Sequence, residues 1–160
     1  MLLNAFLHWL HLLAAISWAG GMIFTSLVLG PILRQKMAPN ARMPLYQEVG
    51  RKFKTLQLHS LIILLATGGH KLWRLTRGGD LFSSGMGTVL EIKLALVAVV
   101  LVLTYLHTYR WGPALTAMAG QEQNPAFRGL SQKMAFWGRA NLALVILIIL
   151  ASALLHFPPL

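Results

Sequence analysis

Residues 2–33 carry no formally charged side chain, and the first charge that the chain then meets is Arg34. An apolar run of more than about 18 residues is typical of a helix that crosses a lipid bilayer. The whole chain agrees, because 56% of its residues are hydrophobic, 11% are charged and the mean hydropathy is +0.63. Such values are too apolar for an ordinary soluble domain, so we expect lipid to be the solvent.

Three further apolar segments follow the first, and each is long enough for the roughly 20 residues that one helical crossing needs. The sequence therefore predicts an all-α integral membrane protein, an up-down four-helix transmembrane bundle that forms one domain over residues 1–160. Between the first two crossings, residues 35–54 contain Pro39, Pro44 and several charges, which predicts a solvent-side loop. The predicted crossings lie at about residues 3–33, 55–73, 88–111 and 136–156.

The net charge of +10 would suggest nucleic acid as the partner of a soluble protein. In a membrane protein, lysine and arginine instead gather in cytoplasmic loops and set the orientation. Ten of the fourteen basic residues lie in the loops after the first and third predicted crossings. We therefore expect a multi-pass protein of the bacterial inner membrane with both termini periplasmic, bound to lipid and not to nucleic acid. These ten residues are Arg34, Lys36, Arg42, Arg51, Lys52, Lys54, Arg110, Arg128, Lys133 and Arg139.

Histidines and other polar side chains lie within the predicted crossings on helical stripes with steps of three and four residues. Polar groups inside a membrane turn away from lipid and mark a site, so we expect these stripes to face the bundle axis. We call the end that holds the termini outer and the opposite end inner. The predicted outer layer comprises His11, His70, Lys93 and His156, and the predicted inner layer comprises His59, His107 and Asn141.

A four-helix membrane bundle with histidines at matching depths can hold one or two b-type haems through neutral imidazoles. We predict His59 with His107 as an inner ligand pair, and His11 with His70 or His156 as an outer set. Lys93 or Arg139 is expected to receive the haem propionates. Copper is the alternative, bound by His11 and its outer neighbours. The metal ligands predicted overall are His11, His59 and His107. The simpler alternative is structural, in which a histidine bonds a neighbouring helix and Lys93 extends toward the interface.

Other chemistries are disfavoured by the composition. The chain has no cysteine, which excludes disulfides, thiolate metal sites and covalent c-type haem attachment. Only four acidic residues are present, no two of them form a carboxylate pair on one element, and no phosphate loop or zinc motif occurs. A hydrolase is therefore not expected.

Several short segments resemble the copper-resistance CopD-like membrane domain and the related HemJ-type proteins. They are His11-Leu-Leu-Ala-Ala-Ile-Ser-Trp18-Ala-Gly20-Gly21, Arg51-Lys-Phe53, Leu65-Ala-Thr67-Gly68, Lys93-Leu-Ala-Leu-Val with His107, and Arg139-Ala-Asn141. The resemblance implies copper uptake or tolerance in the first group, and haem binding with protoporphyrinogen oxidation in the second. HemJ-type proteins continue with an acidic residue after the asparagine, where this chain has Leu142.

These observations favour a haem-binding membrane protein in redox or electron transfer, with a haem-dependent oxidoreductase as its enzymatic form. A redox partner or the subunits of a membrane complex would then be its protein partners. The alternatives are a membrane protein of copper uptake or homeostasis, and an accessory transmembrane subunit of a larger complex. His11, Lys93 and His107 are the residues that both the helical stripes and the family resemblance select.

Overall fold

The computed structural model describes residues 1–77 and 85–155 of the chain. Within these ranges the chain is helical, apart from short turns. Two of the long helices contain a π-helical turn that separates a main part from a short α-helical end. In chain order the elements are α1 (Leu2–Ile23), a π turn (Phe24–Leu29), α2 (Gly30–Lys36), α3 (Pro39–Thr76), α4 (Gly85–Tyr105), a second π turn (Leu106–Trp111), α5 (Gly112–Ala117) and α6 (Pro125–Leu154).

Both π turns end directly before a Gly-Pro dipeptide, Gly30-Pro31 in one case and Gly112-Pro113 in the other. A proline within a helix lacks the backbone N–H and its ring crowds the carbonyl four residues earlier, and the wider π turn relieves that crowding. The glycines suit this geometry, because a Cβ at Gly112 would lie 3.0 Å from the His107 carbonyl oxygen. The second π turn therefore places His107 on a locally widened helix.

The helices form two antiparallel pairs, α1 with α3 and α4 with α6, and the pairs meet where α1 contacts α6. At the inner end Tyr46 Oη donates to the Gly30 carbonyl oxygen at 3.0 Å. In contrast, α3 and α4 contact each other little. The central apolar core comprises Trp18, Ala19, Met22, Val100, Leu142 and Val145.

Among the described residues, three helical stretches are long and apolar enough to span a membrane: Leu2–Lys36, Gly87–Ala117 and Pro125–Leu154. The remaining long helix, α3, falls short in hydropathy because Gln57, His59, His70 and Lys71 interrupt its apolar part. It packs antiparallel along α1 and completes the four-helix bundle.

The prediction that residues 35–54 form a loop is wrong, because α3 already begins at Pro39. Pro44 lies in the second turn of this helix, where its missing N–H costs a single backbone hydrogen bond. At 38 residues and about 1.5 Å per residue, α3 is about 57 Å long, far more than a bilayer core of about 30 Å. The first turns of α3 therefore lie outside the segment that is predicted to cross the membrane.

The fourth helix also begins before the predicted crossing, at Pro125 rather than near residue 136. Asn124 caps it, because its side-chain oxygen accepts a hydrogen bond from the Ala126 N–H at 2.9 Å. The predicted outer end of this crossing, with His156, lies outside the described residues. The membrane bounds of all four crossings stay predictions.

Candidate functional site

His11 is held from α3 by a short hydrogen bond, with 2.7 Å between His11 Nδ1 and Thr67 Oγ1. The Thr67 hydroxyl has one proton and donates it to the Ile63 carbonyl oxygen at 2.6 Å. Thr67 Oγ1 must therefore accept from His11, which places the imidazole proton on Nδ1. A neutral His11 consequently keeps a free lone pair on Nε2, the form in which histidine ligates a metal.

The His11 ring lies against Gly68, which follows Thr67 on α3. A Cβ built on Gly68 would stand 3.5 Å from His11 Cε1, whereas one built on Gly69 would meet nothing within 4 Å. This is an ordinary van der Waals distance, so the half-buried imidazole packs against α3 at Gly68. Two consecutive residues of α3 therefore contact His11: Thr67 through a hydrogen bond and Gly68 through packing.

The charges of two lysines, one on α3 and one on α4, act on this imidazole. The charges of Lys93 on α4 and Lys71 on α3 both act on His11, and the charge of Lys71 also acts on Lys93. Lys93 is half-buried and Lys71 is exposed. In the part of the chain that the structure describes, neither ammonium group has a carboxylate partner. Among the described residues, the charge around His11 is therefore positive and has no carboxylate partner, which favours an anionic ligand.

His107 occupies the inner end of the bundle, in the second π turn. Its ring lies beside α6, because a Cβ built on Gly138 would stand 3.5 Å from His107 Cε1. The Trp111 ring meets it edge to face at 6.1 Å between centroids. His107 and His11 thus each lie against a glycine of the antiparallel neighbour of their own helix.

The predicted inward facing is confirmed for α1 from His11 to Met22, for α4 and, at Asn141, for α6, whereas His8 on the α1 stripe is exposed. Trp18 and Met22 are buried on α1, and Asn141 is buried on α6. The third stripe runs along α4 through Lys93 and Val100 to His107 in the second π turn. Lys93 and His107 are half-buried, and Val100 between them is only 1% exposed.

The predicted facing is wrong for α3, whose buried polar residues are Ser60 and Thr67. The buried stripe runs one residue later than the one through His59 and His70. His59 is exposed and its Nδ1 donates to the Thr55 carbonyl oxygen of its own helix at 2.9 Å. His70 is half-buried, with its ring 6.0 Å from that of Trp73. Neither histidine lies at the centre of the buried face.

Arg139, the other predicted propionate partner, is exposed and its Nε donates to the Ala135 carbonyl oxygen at 3.2 Å. It lies one residue from Gly138, so it belongs to the His107 end of the bundle. The structure therefore separates the candidates: Lys93 is grouped with His11, and Arg139 lies at the inner end.

Thr67, which contacts His11, and Lys71, whose charge acts on it, were not among the residues predicted from the sequence. A signal for them was present, because Ser60, Leu64, Thr67 and Lys71 follow the i, i+4, i+7 and i+11 spacing of one helix face. The histidines at 59 and 70 drew the prediction to the adjacent face.

The residues fit a bare copper ion poorly. Within residues 1–77 and 85–155, no group of three or more histidine, cysteine or acidic side chains could hold a metal ion. A copper cation at His11 would also stand beside two ammonium groups. The iron of a haem, in contrast, can be held by a single imidazole from the protein.

Comparison with known proteins gives the family. The sequence model of the family described as "Copper resistance protein D" (CopD) matches residues 47–155. A protein of Aquifex aeolicus (strain VF5), described as an uncharacterized protein, is 34% identical over 99 residues, which are 61% of this chain and 63% of that protein. The match thus spans less than two thirds of that relative. No solved structure matches significantly. The family match covers more than half of the chain, and the protein belongs to the CopD family of copper-resistance membrane proteins.

Proposed function

We propose that this CopD-family protein binds b-type haem in the outer half of its bundle and takes part in electron transfer within the membrane. His11 Nε2 is the axial ligand of the iron, and Lys71 and Lys93 receive the propionates. The observation that carries the proposal is the bond to Thr67, which fixes the His11 proton on Nδ1 and frees Nε2. When bound, haem supplies a one-electron iron couple.

The lysines support haem over a bare cation for an electrostatic reason. Two ammonium groups near one imidazole repel a copper ion, but they attract the two carboxylates of a haem. Lys71 belongs to α3 and Lys93 to α4, and these two helices contact each other little. A ligand held by both lysines would therefore lie where the two helices are not packed together. His107 at the inner end remains the candidate ligand for a second haem.

Haem affinity should therefore depend on the two lysines. We expect the double variant Lys71→Gln, Lys93→Gln to bind haem at least about tenfold more weakly, since one charge-assisted hydrogen bond contributes about 1.5–3 kcal/mol and about 1.4 kcal/mol is already a tenfold change. The measurement is titration of the purified, haem-free protein with haem, followed by absorbance. Lys54→Gln is the control, because Lys54 lies over the Tyr109 ring, far along α3 from Thr67. An unchanged haem affinity in the double variant would show that the two lysines do not contribute to haem binding.

Direct copper handling is the second candidate, and family membership favours it. The free Nε2 of His11 is an acceptable ligand for Cu(I). Competition between the haem-free protein and a Cu(I) chelator tests this function. Stoichiometric copper that is lost in His11→Ala supports the copper function, and absence of binding at micromolar copper rejects it.

We also propose that both chain termini face the periplasm of a bacterial inner membrane, on the strength of the ten basic residues at the opposite end. Since the chain has no cysteine, single cysteines report topology without background. An impermeant maleimide on intact cells is expected to label Leu3→Cys, and to label Gln121→Cys only after permeabilisation. The reverse pattern would invert the orientation.

A further inference from the structure

Two polar atoms are orphaned in the interior of the bundle. Among the residues that the structure describes, Trp18 Nε1 and Asn141 Oδ1 are the buried side-chain nitrogen and oxygen atoms without a hydrogen-bond partner. Both residues are 7% exposed. One atom is a donor and the other is an acceptor, so the two requirements are complementary.

The remaining atoms of the Asn141 amide are occupied. Its Nδ2 donates to Thr104 Oγ1 at 3.3 Å and lies 3.7 Å from Met22 Sδ. Rotating the amide by 180° would not help, because it would only replace an orphaned acceptor by an orphaned donor. Asn141 therefore needs one more hydrogen-bond partner in either orientation.

Trp18 and Asn141 lie around the same apolar core. Trp18 and Met22 are one turn apart on α1 and belong to the central cluster, which also includes Leu142, the neighbour of Asn141. An unpaired buried polar group costs on the order of 1–3 kcal/mol, and lipid around the bundle offers no replacement partner. Native proteins meet such a requirement with a bound water that makes two to four hydrogen bonds.

We propose that the bundle core binds water between Trp18 and Asn141. This internal water accepts the Trp18 Nε1–H and donates to Asn141 Oδ1, with the Thr104 hydroxyl as a further polar neighbour. The ligand is small and uncharged, which suits the apolar side chains that close the core. The proposal is independent of haem, because neither orphaned atom touches His11 or His107.

The proposed water lies between the outer and the inner polar groups of the bundle. Trp18 is seven residues, about 10 Å along the helix, from His11, and Thr104 is three residues from His107. The water therefore lies between the outer and inner polar groups, where the bundle is otherwise closed by Val100 and Val145.

The test is radiolytic hydroxyl-radical labelling of the purified protein in H₂¹⁸O, because radicals generated from a bound water oxidise the nearest methionine even when bulk solvent cannot reach it. Met22 reports on the site. Met43 is the matched control, because it is 9% exposed against 7% for Met22 and has no orphaned polar atom beside it in the described residues. We expect ¹⁸O to enter Met22 at least about threefold faster than Met43.

Two variants remove one partner of the water each, Asn141→Leu and Trp18→Phe. In both, the Met22 rate is expected to fall to that of Met43 while the Met43 rate stays unchanged, which also shows that the fold is retained. If one variant fails to fold, the other decides. Equal rates for Met22 and Met43 in the wild-type protein, or an unchanged Met22 rate in a folded variant, would overturn the proposal.

Discussion

Replacing His11 by alanine is expected to leave the purified protein without its outer haem. The imidazole Nε2 is the ligand that the proposed site offers, and the two lysines alone do not bind iron. The measurement is the haem content of membranes and of the purified protein, by pyridine haemochrome absorbance. His8→Ala is the matched control, since His8 lies one turn earlier on the same helix and its side chain is exposed. Full haem retention in His11→Ala would refute the ligand assignment.

Thr67 is a positioning residue, and its removal should have a graded effect. Thr67→Val keeps the shape of the side chain but leaves His11 Nδ1 without an acceptor, so we expect haem affinity to fall roughly 10–100-fold. Thr67→Ser retains the hydroxyl and should retain most of the affinity. Nitrogen NMR of labelled, haem-free protein gives a second readout, in which Thr67→Val loses the preference for the Nδ1–H tautomer. A preserved preference would show that Thr67 does not orient His11, whether or not haem binds.

The largest effect on stability is expected at Gly21 of α1, which lies against the Phe53 ring of α3. A Cβ at this position would collide with the Phe53 ring. We expect Gly21→Val to destabilise the protein by about 1–3 kcal/mol, the usual cost of overpacking. Reversible unfolding in mixed detergent micelles measures the change.

The adjacent glycine supplies the control for this prediction. A Cβ at Gly20 would meet nothing within 4 Å, so Gly20→Val adds the same side chain to the same helix without a collision. It is expected to unfold like the wild-type protein. Equal stability of the two variants would mean that the contact between Gly21 and Phe53 is not tight in the membrane.

The sequence was sufficient to predict the fold class, because long uncharged apolar runs have few other structures available to them. It was less informative at the inner ends of the helices. Charged residues and two prolines made residues 35–54 look like a loop, but a proline in the second turn is compatible with a helix, and the charges lie on its solvated part. Composition identifies where a helix leaves the membrane, not where it ends.

The site was only partly predictable for a related reason. His11, Lys93 and His107 stood out because ionisable groups are rare in membrane helices. The orientation of α3 was not predicted correctly, because its histidines lie on the face next to the buried one. Ser60 and Thr67 are small and mildly polar, and such residues are so common between membrane helices that they give little warning of a site. Only the contact between Thr67 and His11 assigns the tautomer.

The central claim is that His11 holds haem, and one absorption spectrum tests it most directly. We predict that protein purified from membranes in mild detergent shows a Soret band that shifts on reduction with dithionite, with sharp α and β bands of b-type haem in the reduced form. The His11→Ala protein should lose this signal while His8→Ala keeps it. A colourless wild-type preparation that also fails to take up added haem would contradict the account.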